Sequence, residues 1–281
     1  MPFISVDTSD SAPVDLYYQD CGAPDARPVI LIHGWPLSHR MWEYQINALT
    51  EAGYRCIAYD RRGFGESSKP WEGYDYDTLS GDLQALMTRL DLRDAVLVGF
   101  SMGGGEVARY FGRFGNDRVS AAMLIGAVPP FLLKTDDNPD GVDAQVFEDM
   151  KAGILDQRVA FLEGFGQTFV NWSEDAPTIS RAQLQYNHTI ASFAAPHATL
   201  RCITAFGQTD FRHDLPKISV PTLIIHGDAD QIVPAEVSAQ RSHEMISGSR
   251  LEMIGGAPHG LNFTHREELH RLMLDFLDQL S

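Results

Sequence analysis

Gly99-Phe100-Ser101-Met102-Gly103, within LVGFSMGGG, is a G-x-S-x-G pentapeptide and the strongest chemical signal in the chain. A serine at its centre serves as a nucleophile where a strand turns sharply into a helix, with glycines on either side letting the backbones approach. The flanks supply that context, since AVLV precedes and GEVARYFGRF follows. A hydroxyl needs a base to become nucleophilic, and the base needs an orienting carboxylate. LIIHGDADQIVP ends a later apolar run with two carboxylates, Asp228 and Asp230. Asp228 directly follows a His-Gly turn and is expected to brace the loop, so Asp230, further out, is the expected acid. MIGGAPHGLNF ends the next run with His259, the expected base, in a loop that suggests an exposed and mobile side chain.

Acyl transfer also needs donors for a developing oxyanion. The N–H of Met102, next to the nucleophile, is one. The second is assigned to Trp35 in HGWPL, which follows the apolar run PVILI. Pro36 disfavours helical geometry at Trp35, so the Trp35 C=O as well as its N–H has a fixed aim. That carbonyl could accept a hydrogen bond from peroxide or water, which makes Pro36 a candidate selectivity residue. The other reading is a proline that only fixes a turn and could be cis.

Other chemistry is poorly supported. His265 and His270 are five apart and do not share a helical face as a metal pair would. GDAD shares only its D-x-D with a calcium loop, and RRGFGESS does not make G-x-G-x-x-G. No metal and no nucleotide cofactor is expected. His33 and His226 each precede a glycine at a strand end and are read as braces for turns. The cysteines, Cys21, Cys56 and Cys202, are odd in number and lack a C-x-x-C pair, which argues against a disulfide framework or a zinc site. Cys56, in an apolar run, is expected to be buried.

Short apolar runs position these groups. RPVILIHG, YRCIAYD, DAVLVGF, SAAMLIGA, VPTLIIHGD and SRLEMIGG read as strands covered on both faces, as in a parallel sheet. Helical patterns lie between them: one capped by Ser38 and running through Ala52, one over residues 77–91, and a last one carrying Leu269, Leu272, Met273, Phe276, Leu277 and Leu280. The alternation predicts an α/β fold, with FISVD and VDLYYQD as an antiparallel hairpin at its edge. Between Val128 and Asp214 it breaks into Phe-rich helical segments without a convincing buried strand. The expected organisation is therefore core over 1–128, a helical cap over 129–214 and core again over 215–281.

A chain of 281 residues can bury one large core, and a net charge of −16 makes nucleic acid an improbable partner. The N-terminal sequence lacks the basic-then-apolar pattern of a signal peptide, and no run approaches the ~18 apolar residues of a membrane span. A cytoplasmic protein without membrane association is expected; a monomer and a homo-oligomer both remain open.

HGWPL, MWEYQ, YDRRGFGESS, VGFSMGGGEVARY, TAFGQTDFR, PTLIIHGDADQIVP and APHG together resemble the cofactor-free bacterial haloperoxidase and aryl esterase group of the α/β-hydrolase superfamily. The resemblance runs from about residue 14 to 277. It implies a mostly parallel sheet with helices on both faces and an inserted helical cap. It also implies Ser101 as nucleophile, His259 as base, Asp230 as acid, Trp35 and Met102 as oxyanion donors, and no cofactor. Small acyl groups would bind under the cap against Val128, Leu132, Phe147, Phe161, Phe165, Phe206 and Ile232. The implied activity is hydrolysis of short-chain and aryl esters, with peracid formation when hydrogen peroxide replaces water. Lactam or lactone opening would use the same residues. Epoxide hydrolases and haloalkane dehalogenases share the fold but need a carboxylate where Ser101 stands. A catalytically inert binding protein would not need the full Ser-Asp-His set.

Overall fold

The computed structural model describes residues 2–7 and 13–280; the turn of the expected N-terminal hairpin, residues 8–12, lies outside them. Among the described residues, eight strands form one sheet in the order β1-β2-β4-β3-β5-β6-β7-β8. β1 (Phe3–Asp7) and β2 (Val14–Cys21) pair antiparallel, and β2 pairs antiparallel with β4 (Arg55–Tyr59). The other neighbours are parallel: β3 (Pro28–Ile32), β5 (Ala95–Phe100), β6 (Val119–Ile125), β7 (Thr222–Gly227) and β8 (Arg250–Ile254). β3 and β5 are buried at every position, because both faces of the sheet are covered.

The chain steps from β3 outward to β4, then crosses back to place β5 on the other side of β3. The carboxyl ends of β3 and β5 are therefore the switch point of the sheet, the place where doubly wound sheets hold their ligands. The β3–β5 register, Ile32 opposite Gly99, sets the HGWPL turn beside Ser101.

Helix α1 (Glu43–Glu51) follows a 3₁₀ turn over His39–Trp42. Ser38 does cap this segment, accepting from the Arg40 N–H at 3.3 Å, but its first turn is 3₁₀, so the α-helix starts later than the sequence suggests. α2 (Tyr76–Arg89) and α3 (Met102–Phe114) pack on one another, and α1 packs on the last helix, α9 (Arg266–Asp278). Between β6 and β7 lie α4 (Ala144–Phe169), α5 (Arg181–Ser192) and α6 (Pro196–Gln208), with α4 packed on both others. Two Phe-rich segments of the sequence merge into the 26-residue α4, bent where Gln157 leaves helical geometry (φ −143°, ψ 77°). Among the described residues, the pairings between β6 and α4 are isolated bridges, Leu133 with Val142 and Thr135 with Asn138. α7 (Ala239–Met245) and the short α8 (Leu261–Thr264) complete the chain. Among the described residues, no helix is long and apolar enough to cross a membrane.

Candidate active site

Ser101 follows β5 and precedes the first residue of α3 in a conformation uncommon for a residue with a side chain, φ 53° and ψ −120°. The turn is this sharp because two glycines remove side chains where backbones meet. A β-carbon on Gly99 would stand 2.5 Å from the Gly103 carbonyl oxygen, and one on Gly103 2.4 Å from that of Ile32. The Ser101 N–H is fixed to the Ile125 carbonyl of β6 at 2.9 Å, and the Ser101 C=O accepts from Val128 N–H at 3.2 Å.

His259, in the loop after β8, lies with Nε2 at 2.9 Å from Ser101 Oγ and Nδ1 at 2.6 Å from Asp230 Oδ2. A carboxylate only accepts, so Nδ1 carries the proton, and Nε2 is left to take one from the hydroxyl. Asp230, in the loop after β7, is held on its other oxygen by the N–H groups of Ile232 and Val233, both at 2.8 Å. Burial pushes its carboxyl up, but the neighbouring His259 and the hydrogen bonds from His226 and His259 outweigh that and hold it well below the usual carboxylate range. Asp228 instead accepts from the Gly256 N–H at 2.6 Å, which ties the two loops together.

The sequence-based expectation of an exposed His259 is corrected: its side chain is 1% exposed. Phe100 from β5 and Phe169 from the end of α4 cover it, each with its ring centroid 5.0 Å away. The Gly260 N–H also donates to the Phe169 carbonyl at 2.6 Å.

Across from the elbow, among the described residues, no acceptor pairs with the N–H of Trp35 or of Met102. The Trp35 N–H is aimed through its own peptide group. His33 Nε2 accepts from the Arg61 N–H at 3.0 Å, so Nδ1 bears the hydrogen and donates to the Gly34 C=O at 2.9 Å. Leu37 N–H donates to the same oxygen at 3.1 Å. In a trans peptide the C=O and N–H point opposite ways, so pinning the Gly34 carbonyl fixes the direction of the Trp35 N–H. Burial, reinforced by the Arg61 charge, pushes His33 down to about 3 and keeps it neutral. Trp35 and Pro36 are joined by a cis peptide bond.

Arg61, also buried, donates to the His33 carbonyl at 2.7 Å and pairs with Glu106, one turn into α3. Glu106 accepts the Tyr59 hydroxyl at 2.6 Å, and Tyr76 donates to the Met102 carbonyl at 3.0 Å. One buried polar network thus ties the β3 turn to the first turn of α3.

The Phe-rich residues assigned by resemblance divide by distance from this centre. Val128 touches Ser101 through its backbone, and Ile232 touches Asp230 likewise. Phe165 and Phe206 lie against the Trp35 ring, with centroids at 4.9 and 5.7 Å. Phe147 stands one ring away behind Phe206, and Phe161 one ring away behind Phe165. Leu132 is buried in the core. Phe169 was missed by the sequence reasoning, although it continues the four-residue spacing of Phe161 and Phe165.

A family model for the alpha/beta hydrolase fold matches residues 27–266. The chain belongs to the α/β-hydrolase family. Among solved structures, this hydrolase is similar to a bromoperoxidase from Bacillus anthracis, with 50% identity and a TM-score of 0.94 over 98% of this chain and 99% of that one. It is 41% identical to the non-heme chloroperoxidase CPO-A1 of Kitasatospora aureofaciens, over 95% of this chain and 97% of the relative. It is 38% identical to the bifunctional esterase/perhydrolase DCH of Acinetobacter calcoaceticus, over 94% and 96% respectively.

Proposed function

We propose that this hydrolase cleaves small carboxylic esters through an acyl-enzyme on Ser101 and passes the acyl group to water or to hydrogen peroxide. The observation that carries the reading is the continuous chain Ser101 Oγ–His259–Asp230, 2.9 and 2.6 Å link by link, with the serine at a strained strand-to-helix turn. The relatedness to an esterase/perhydrolase and to haloperoxidases supports the choice of acceptors.

In this reading His259 Nε2 takes the Ser101 proton as Oγ attacks the ester carbonyl, and Asp230 steadies the imidazolium that results. The negative oxygen of the tetrahedral intermediate lies between the Trp35 and Met102 N–H groups. The imidazolium then protonates the departing alcohol. Water or peroxide, deprotonated by the same nitrogen, attacks the acyl-enzyme and releases the acid or the peracid. Residues 129–214 act as the cap. Val128, Leu132, Phe147, Phe161, Phe165, Phe206 and Ile232 form the acyl-binding surface, so small apolar acyl groups are the favoured substrates. Pro36 steers the choice between the two acceptors.

Fluorophosphonate labelling followed by peptide mapping tests the core of this reading. A single adduct on Ser101, abolished in His259→Gln, is the expected result, and an unlabelled Ser101 would refute it.

A further inference from the structure

Cys21 closes β2 and Cys56 stands near the start of β4, and the antiparallel register sets the two directly opposite each other. Directly opposite residues project from the same face of a sheet. The Asp60 N–H donates to the Tyr17 carbonyl at 2.9 Å, which makes their pair a hydrogen-bonded one. Hydrogen-bonded and non-hydrogen-bonded pairs alternate, so counting down the register Cys21 and Cys56 again form a hydrogen-bonded pair. Such pairs hold their α-carbons ~5.5 Å apart, inside the ~4.4–6.8 Å span of disulfides, and their β-carbons about as far apart, so closing the bridge draws the two side chains together by ~1 Å. The strands are secured at this point on both sides. Arg55 grips the Asp20 carboxylate through Nε and Nη2 at 2.9 and 2.7 Å. Gly22 presses so close to the next strand that a β-carbon on it would stand 2.5 Å from the Tyr54 carbonyl oxygen.

Both thiols are free, and they differ in access: Cys21 is half-buried and Cys56 is buried. We propose that Cys21 and Cys56 are a peroxide-sensitive dithiol, in which a hydroperoxide oxidises Cys21 and Cys56 then closes a reversible cross-strand disulfide. In the first step the Cys21 sulfur attacks the hydroperoxide. The O–O bond breaks, sulfur is oxidised to sulfenic acid, and water leaves when the oxidant is hydrogen peroxide. In the second step the Cys56 sulfur attacks the sulfenic sulfur, the S–O bond breaks, and water leaves with the Cys56 proton.

The order of events follows from the surroundings. Burial pushes the Cys56 thiol up to about 11, so it remains a thiol towards oxidant in solution, and it resolves Cys21 slowly, through its small thiolate fraction, because it lies directly opposite. Cys202, buried in α6 and pushed up to about 12, has no cysteine across from it. The pair sits towards the amino end of β4, whereas Ser101 sits at the carboxyl end of β5. The proposal therefore stands apart from the catalytic reading.

The test exposes the fully reduced, full-length protein to hydrogen peroxide, blocks remaining thiols in denaturant, and maps peptides without reduction. A linked Cys21–Cys56 peptide, lost on treatment with a phosphine reductant, is expected, with Cys202 recovered in the blocked form. Ser101→Ala should form the same link, which separates this proposal from the catalytic one. Cys56→Ala should instead accumulate a dimedone adduct on Cys21. The proposal is overturned if Cys21 passes to sulfinic or sulfonic acid while Cys56 is recovered blocked. It is equally overturned if both remain reduced, or if Cys21 is linked only between molecules.

Discussion

His33 accepts from the Arg61 N–H with one ring nitrogen and donates to the Gly34 carbonyl with the other, and these two tasks can be separated by substitution. An asparagine places its amide N–H near the position of Nδ1, keeping the bond to Gly34 and losing the acceptor for Arg61. A glutamine places its amide oxygen near Nε2, keeping the acceptor for Arg61 and losing the donor to Gly34. Deleting an oxyanion donor lowers kcat by ~10²–10³-fold. In His33→Gln the Trp35 N–H is loosened rather than deleted, because Leu37 N–H still holds the Gly34 oxygen. The expected loss in kcat is therefore about 10- to 100-fold, or roughly 1.4–2.8 kcal/mol of transition-state stabilisation, with KM within about twofold. His33→Asn should keep kcat within about threefold, yet lose roughly 1–3 kcal/mol of stability because the buried Arg61 N–H is left unpaired. Steady-state hydrolysis of 4-nitrophenyl acetate, with urea unfolding of the same preparations, reads both quantities. Activity that follows stability across the two variants, or an unimpaired His33→Gln, would refute the reasoning.

His226 Nε2, 3.2 Å from Asp230 Oδ2 and 2.8 Å from the Val233 carbonyl, weakens the carboxylate as a partner for His259. His226→Leu should make Asp230 more basic and move the acid limb of the kcat/KM profile to higher pH, with His226→Gln restoring it; an unmoved limb counts against this. Because His33 is depressed from 6.5 to about 3, the unfolded chain takes up a proton there that the folded chain refuses. Stability from this group is complete above pH 6.5 and falls as pH drops towards 3. The loss is about 2 kcal/mol by pH 5, measurable as a steeper decline in urea midpoint for wild type than for His33→Gln. Pro36→Leu should lower the ratio of peracid to acid more than it lowers ester hydrolysis, and an equal fall in both would remove Pro36 from the selectivity argument.

The groups that the sequence exposes most clearly are those set by short-range geometry. Ser101 is legible because the glycines that permit its turn are its near neighbours. Asp230 and His259 are legible because each ends an apolar run that can only be a strand. The buried state of His259 was not legible, since its cover, Phe169, comes from a segment 90 residues away. Arg61 and Glu106 are hidden for a related reason: each is an ordinary charged residue until the strand order brings β4 beside β3 and α3 beneath the turn. Cys21 and Cys56 look unrelated, 35 positions apart, until the register pairs them. The bend at Gln157 has no marker in its own residues.

The hydrogen bond from Gly260 N–H to the Phe169 carbonyl means that one residue of α4 both roofs the base and tethers the loop that carries it. An excursion of this end of α4 away from the sheet breaks that tether and uncovers the His259 ring. The door and the trigger share a hinge. In the proposed mechanism the cover over the base and the strap on its loop are therefore one piece, and lifting it lets solvent reach the imidazole.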